Sequence, residues 1–176
     1  MKGSDAISRI LKQEGIDFMG VIPMNTMEEA AAQNGIRPLI FRQERVGVNL
    51  ADGYSRVTNG RGIGVFSMQA GPGAENAFAG VAQAYADSSP ILLLAASVKL
   101  DHADVAPNFS PTRSYRDVTK WVAQVNMPNR IPELMRRAFS NLKIGRPGPV
   151  MIDIPSDILR GDVKVDVPPY VPVKPH

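Results

Sequence analysis

The run Ile91-Leu92-Leu93-Leu94-Ala95-Ala96 has no polar residue at any position. Successive side chains of a strand point to opposite faces of its sheet, so such a run must be buried on both faces. Phe18 to Ile22, Leu39 to Phe41, Gly62 to Met68, Trp121 to Val125 and Pro149 to Ile154 read as further strands. Segments of helical period lie between them. In the clearest, Ile131, Leu134, Met135, Ala138, Phe139 and Leu142 follow the i, i+3, i+4 pattern. Helices are expected also over Thr26 to Gln33, Glu44 to Val57 and Ala74 to Ala86. A first helix carries the stripe Ile7, Ile10 and Leu11, is capped by Ser4 or Asp5, and stops at Gly15. Val98 to Thr112, with Pro107 and Pro111, reads as irregular. Strands alternating with helices predict an α/β fold of three layers, αβα, with about six mostly parallel strands.

The chain of 176 residues suffices for one domain with a full core. Residues 1–162 read as that domain. Residues 163–176 hold four prolines and no helical period, and read as an extended linker toward a further, central domain. The net charge is +3 and the basic residues are scattered, which argues against a nucleic-acid or membrane surface. With no cysteine and two histidines, His102 and His176, neither a thiolate site nor a zinc site is expected. No signal peptide is legible at Met1-Lys2-Gly3-Ser4-Asp5, and no apolar run approaches the roughly 20 residues that cross a bilayer. A cytoplasmic protein is the expectation.

Glu44 is the most informative polar residue. It lies where the strand ending at Phe41 gives way to the helix starting at Glu44. In open α/β sheets, ligands bind at such carboxyl-end junctions. A glutamate in a first turn also simply favours the helix dipole. The second junction is Gly71-Pro72-Gly73-Ala74-Glu75-Asn76, which follows the strand ending at Met68. Its glycines allow backbone to approach a ligand, and the next helix aims free N–H groups there. It is equally readable as a plain turn. It is not a Walker A loop, since no Gly-Lys-Ser/Thr follows, and Asn76 replaces the third glycine of a dinucleotide fingerprint.

Five segments taken together are more specific. They are Glu44 itself, Ala51-Asp52-Gly53-Tyr54-Ser55-Arg56, Gly71 to Asn76, Ala84 to Ile91, and Gly145 to Pro155. In this order and spacing they resemble the N-terminal pyrimidine-binding (PYR) domain of thiamine-diphosphate enzymes. The group is that of acetolactate synthase, pyruvate oxidase and benzoylformate decarboxylase. The resemblance covers residues 3 to 160. It implies that Glu44 is catalytic, holding a ring nitrogen of the cofactor's aminopyrimidine. It places Gly71, Pro72, Gly73 and Asn76 beside that ring, and Pro23, in Ile22-Pro23-Met24, where the family has a Gly-Pro-Gly turn. It implies thiamine diphosphate with Mg²⁺, at least a homo- or hetero-dimer, and a small 2-keto acid substrate. FAD is left open.

The diphosphate and its Mg²⁺ are gripped in this family by Gly-Asp-Gly followed by an Asn-Asn pair. Neither occurs in the 176 residues. A diphosphate-binding domain or subunit is therefore the expected partner, and the chain is expected to be inactive alone. Gln43, Arg45, Asn49 and Ser110 depart from acetolactate synthases at substrate-side positions, which points to another 2-keto acid or acyl acceptor. Two rival readings stand beside this one. The chain could be a non-catalytic assembly or regulatory domain of the same fold, or a nucleotide-binding module using Gly71 to Asn76.

Overall fold

The computed structural model describes residues 1–23, 26–162 and 170–174. Six strands, all parallel, form one sheet: β1 (Phe18–Val21), β2 (Arg37–Ile40), β3 (Gly64–Met68), β4 (Ile91–Ser97), β5 (Trp121–Gln124) and β6 (Val150–Pro155). Their spatial order is β2-β1-β3-β4-β6-β5. All residues of β3, β4 and β6 are buried, as expected of central strands covered on both faces.

Two cores fill the two sides. On one side pack α1 (Gly3–Gln13), α2 (Met27–Gln33), α6 (Ile131–Lys143) and the short α7 (Ser156–Arg160). On the other pack α3 (Glu44–Val57) and α4 (Pro72–Ala86), with Tyr115 from the stretch after α5 (Pro111–Ser114). The expected α/β architecture of helices around about six parallel strands is present. Alternation along β4 sorts the residues: Leu92, Leu94 and Ala96 serve the first core, Ile91, Leu93 and Ala95 the second.

Several boundaries move. The first helix begins at Gly3, with Lys2 at the N-cap and no side-chain cap. Ser4 is buried inside the helix, and Asp5 instead pairs with Arg9 (3.2 Å) and accepts from Asn34 Nδ2 (2.9 Å). A cap contributes about 1 kcal/mol. Ile7, Ile10 and Leu11 are fully buried, at about 1.5–3 kcal/mol each, so packing fixes this helix. The stretch expected to be irregular, Val98 to Thr112, holds a short 3-10 turn at Leu100–His102 and the start of α5, and a second 3-10 turn, Arg116–Val118, follows it. The α7 turn has no counterpart in the sequence reading.

The Asp52-to-Arg56 segment is structural. Arg56 Nε donates to Asp52 (2.8 Å) and Arg56 Nη2 to Asp87 (2.7 Å). These bonds hold the guanidinium charge even more firmly than usual. Ser55 Oγ donates to the Pro90 carbonyl (2.7 Å) and accepts from Gly64 N–H (2.9 Å). The end of α3 is thereby tied to the starts of β3 and β4, at the edge of the sheet opposite Glu44.

Of the expected linker, residues 163–169 and 175–176 lie outside the described residues. Residues 170–174 run back along the domain. Glu14, its side chain fully buried, pairs with Lys143 Nζ (2.6 Å). It also accepts hydrogen bonds from Tyr170 Oη and from Val173 N–H (3.0 Å). Lys143 Nζ and Arg136 donate to the Val173 and Val171 carbonyls, both at 2.9 Å. Replacing Glu14 with Ala removes the acceptor common to all three partners. We expect a loss of roughly 1–3 kcal/mol, below the ~3–5 kcal/mol of a fully buried pair because Lys143 reaches solvent. The Val173 amide should exchange hydrogen faster in that variant; unchanged exchange would show that Glu14 does not anchor the segment.

Candidate active site

Strand β1 lies between β2 and β3, so the chain first winds outward to β2 and then returns to the other side of β1. This reversal opens a crevice at the carboxyl ends of the strands, the usual ligand site of open α/β sheets. Three junctions border it: Ile22-Pro23 after β1, Gln43-Glu44 after β2, and Gln69 to Gly73 after β3.

Glu44 is the first residue of α3, preceded by Gln43 in extended conformation. The positive end of the helix dipole favours an anion there. The side chain is half-buried. Its Oε2 accepts a hydrogen bond from Asn76 Nδ2 at 2.6 Å. Its Oε1 lies against Gly73, where a Cβ would come within 3.0 Å of that oxygen and 2.9 Å of Gln69 Cβ. Gly73 therefore lets the carboxylate sit where a side chain would crowd it. Gly71, at φ +61°, makes the turn that delivers Pro72 to the first position of α4. The structure thus brings Glu44, Gly73 and Asn76 together, 32 residues separating Glu44 from Asn76. Pro72 and Gly71 act through the turn.

Pro23 stands apart from that trio. It lines a groove of about 330 Å³ with Gln69, Ala70, Ser97, Ser156 and Arg160, and Glu44 is not part of its wall. Gln69 borders both regions. A larger groove of about 650 Å³ lies around Lys2, Ser4 and Glu29, on the α1–α2 side. It contains none of the expected site residues.

Other candidate residues behave more plainly. Arg45 is exposed, and no ion pair among the described residues joins it to Glu44. His102 is exposed and bonded to Asp101. Trp121 packs against the first core. Among the described residues no group of three or more His, Asp or Glu is placed to hold a metal ion. No helix among them is long and apolar enough to cross a membrane.

Tyr115 was not singled out by sequence. It is fully buried, and its hydroxyl donates to the Ala74 carbonyl in the first turn of α4. Burial pushes its phenol well above the ordinary range, so it stays a donor. Phe78 and Phe109 meet its ring edge-to-face at 5.3 and 6.5 Å. The segment after β4 thereby braces the turn that carries Gly73. No local pattern marks a tyrosine 41 residues from its acceptor.

With this geometry in place, the comparisons with known proteins are informative. The family description "Thiamine pyrophosphate enzyme, N-terminal TPP binding domain" matches residues 1–127. The chain belongs to this family. It is 35% identical to a probable acetolactate synthase large subunit of Methanocaldococcus jannaschii, over 98% of this chain and 31% of that protein. It is 29% identical to the acetolactate synthase large subunit of Haemophilus influenzae, over 100% of this chain and 32% of that protein. It is 32% identical to the acetolactate synthase isozyme 3 large subunit of Escherichia coli, over 97% and 30%. The chain thus spans about a third of the length of the curated relatives it matches.

For this thiamine pyrophosphate enzyme domain, two substitutions test the site's construction. Gly73→Ala forces Glu44 or Gln69 to shift, with an expected cost of about 1–3 kcal/mol. The Asn76 side-chain amide resonance should move as its bond to Glu44 is lost; an unmoved resonance contradicts the packing described. Tyr115→Phe should cost about 0.5–1.5 kcal/mol in urea denaturation, because the Ala74 carbonyl keeps its helical donor.

Proposed function

We propose that this chain is the pyrimidine-binding part of a thiamine-diphosphate-dependent 2-keto acid decarboxylase or carboligase of the acetolactate synthase type. The observation that carries the reading is the state of Glu44. One carboxylate oxygen is held by Asn76 at 2.6 Å, and the other lies against Gly73, where a Cβ would come within 3.0 Å of it.

These residues fit an aminopyrimidine. A flat heterocycle with a ring nitrogen needs one carboxyl oxygen at its edge and no side chain over the approach. Glu44 Oε1 offers the first in this reading, and Gly73, with no Cβ against that oxygen, suits the second. When bound, thiamine diphosphate supplies the electron sink for breaking or forming a carbon–carbon bond next to a carbonyl. The chain's own contribution is position and proton control. Asn76 fixes the carboxyl rotamer, so a hydrogen shared with a ring nitrogen is held at Oε1. Gly71 and Pro72 set the height of that contact above the sheet. Pro23 and Gln69 shape the neighbouring wall.

The diphosphate and Mg²⁺ are assigned to a separate domain or partner subunit, because the Gly-Asp-Gly and Asn-Asn motifs do not occur in these residues. The outer faces of α3 and α4 support an association next to Glu44. Val46, Phe78 and Tyr85 are 47%, 37% and 43% exposed there. A partner covering them would also shield the half-exposed Glu44 from water. Residues 163–176 are the connection toward the next domain in this reading. Asn49 and Ser110 differ from acetolactate synthases at substrate-side positions, so the acceptor need not be pyruvate.

The test is reconstitution with thiamine diphosphate, Mg²⁺ and the diphosphate-binding partner, with a panel of 2-keto acids. Glu44→Gln should lower kcat by roughly 10²–10⁴, the usual worth of a positioned acid–base group. The same variant should assemble with the partner normally. Full turnover by Glu44→Gln would favour a non-catalytic role for this domain.

A further inference from the structure

A second polar cluster lies farther along the carboxyl edge of the sheet, at the ends of β4, β5 and β6. Asp153 of β6 sits in register between Ala95 of β4 and Gln124 of β5. Met151, Leu93 and Ala95 belong to the core on the α3–α4 side, so alternation sends Asp153 and Ser97 to that same side. Asp153 is 0% exposed and Ser97 4%. Gln124 Nε2 donates to Asp153 Oδ2 at 2.9 Å. The Ser97 hydroxyl lies near enough to act on the Asp153 carboxyl, but neither Asp153 Oδ1 nor Ser97 Oγ makes a well-formed hydrogen bond with the described residues.

Both side chains line a cavity of about 50 Å³ that the segment after β4 closes. The remaining polar wall includes Ser110 and Thr112, whose hydroxyls lie 3.3 Å apart, and Asp104. Asp104 is paired with Arg113 at 2.9 Å, so its charge is matched. Among the described residues no Lys, Arg or His lines the cavity. A buried carboxylate without a cation is costly, and must be compensated or neutralised. Burial indeed pushes the Asp153 carboxyl above its ordinary range, against the dipoles of Ser97 and Gln124.

We propose that this cavity is a binding site for a monovalent inorganic cation, K⁺ or Na⁺, held by Asp153 Oδ1, Ser97 Oγ and the hydroxyls of Ser110 and Thr112. Beside the amides of Asn108 and Gln124, the latter with its Nε2 engaged by Asp153 Oδ2, the polar atoms offered by Asp153, Ser97, Ser110 and Thr112 are oxygens, which suit hard cations. One uncompensated carboxylate matches one positive charge, whereas divalent ions are usually held by more. The volume holds an ion or a water or two, and excludes a bulky organic cation. The bound ion would fasten the segment after β4, which carries Phe109 and Tyr115, to the sheet. The site does not depend on the reading of Glu44.

The test is thermal unfolding of the chain in tetramethylammonium chloride, exchanged stepwise for KCl or for NaCl at constant ionic strength. A saturable rise of roughly 3–6 °C is expected in at least one of them, at about tenfold above the midpoint concentration. Asp153→Asn keeps an acceptor for Gln124 and should show no ion-specific rise. Ser97→Ala should raise the midpoint concentration several-fold. Identical unfolding in the three salts overturns the proposal and means that the carboxyl is neutralised by a proton. An undiminished response in Asp153→Asn overturns it as well. Should Asp153→Asn fail to fold by circular dichroism, Ser97→Ala decides, and an unchanged midpoint concentration sinks the idea.

Discussion

The architecture depends on β4 being buried on both faces. A strand whose seven residues are all inaccessible needs an apolar layer above and another below. The helices supply them, and a helix between successive strands makes the strands parallel. In a parallel sheet all strands end on the same edge, so the strand-to-helix junctions collect there. Apart from Ser67 of β3, the apolar faces leave polar side chains to the ends of the strands. Glu44, Gln69, Asn76, Ser97, Gln124 and Asp153 accordingly gather at or near that edge, where chemistry can be done without disturbing the cores.

Along the edge the polar groups divide by environment. Glu44 and Asn76 are partly open to solvent and lie beside exposed apolar side chains of α3 and α4. Asp153 and Ser97 are closed off by the segment after β4. That segment has few regular elements of its own. Besides the packing of Leu100, Phe109 and Val118, it is held by Tyr115, whose hydroxyl reaches the first turn of α4 and whose ring fits between Phe78 and Phe109. One bridging side chain therefore links the two regions. At the opposite edge the Asp52–Arg56–Asp87 network keeps α3 and α4 in step, which fixes the angle at which their N-termini approach each other.

Much of the fold was legible because two signals agree. The strands read as apolar runs and the helices as 3.6-residue periods, and both come from the requirement to bury one side of each element. The start of α1 was misread for the same reason that capping patterns often mislead. Ser4 and Asp5 are good capping residue types, but burial of Ile7, Ile10 and Leu11 sets the helix phase, and Ser4 is drawn inside with them. The turns at Leu100–His102 and Arg116–Val118 carry too few residues to show a period.

The candidate site divides in the same way. Glu44 and the Gly71-Pro72-Gly73 turn could be picked out from sequence because each lies at a strand-to-helix junction, and junction residues are local in the chain. Backbone conformation, apolar patterning and the existence of those junctions are set by near neighbours, and the sequence by itself determined them. The bond from Asn76 to Glu44, the approach of Glu44 Oε1 to Gly73, the reach of Tyr115 to Ala74 and the seclusion of Asp153 were decided only by the tertiary structure. Each joins residues from separate elements, and their separation is fixed by how the helices seat on the sheet, a quantity that no stretch of local sequence encodes.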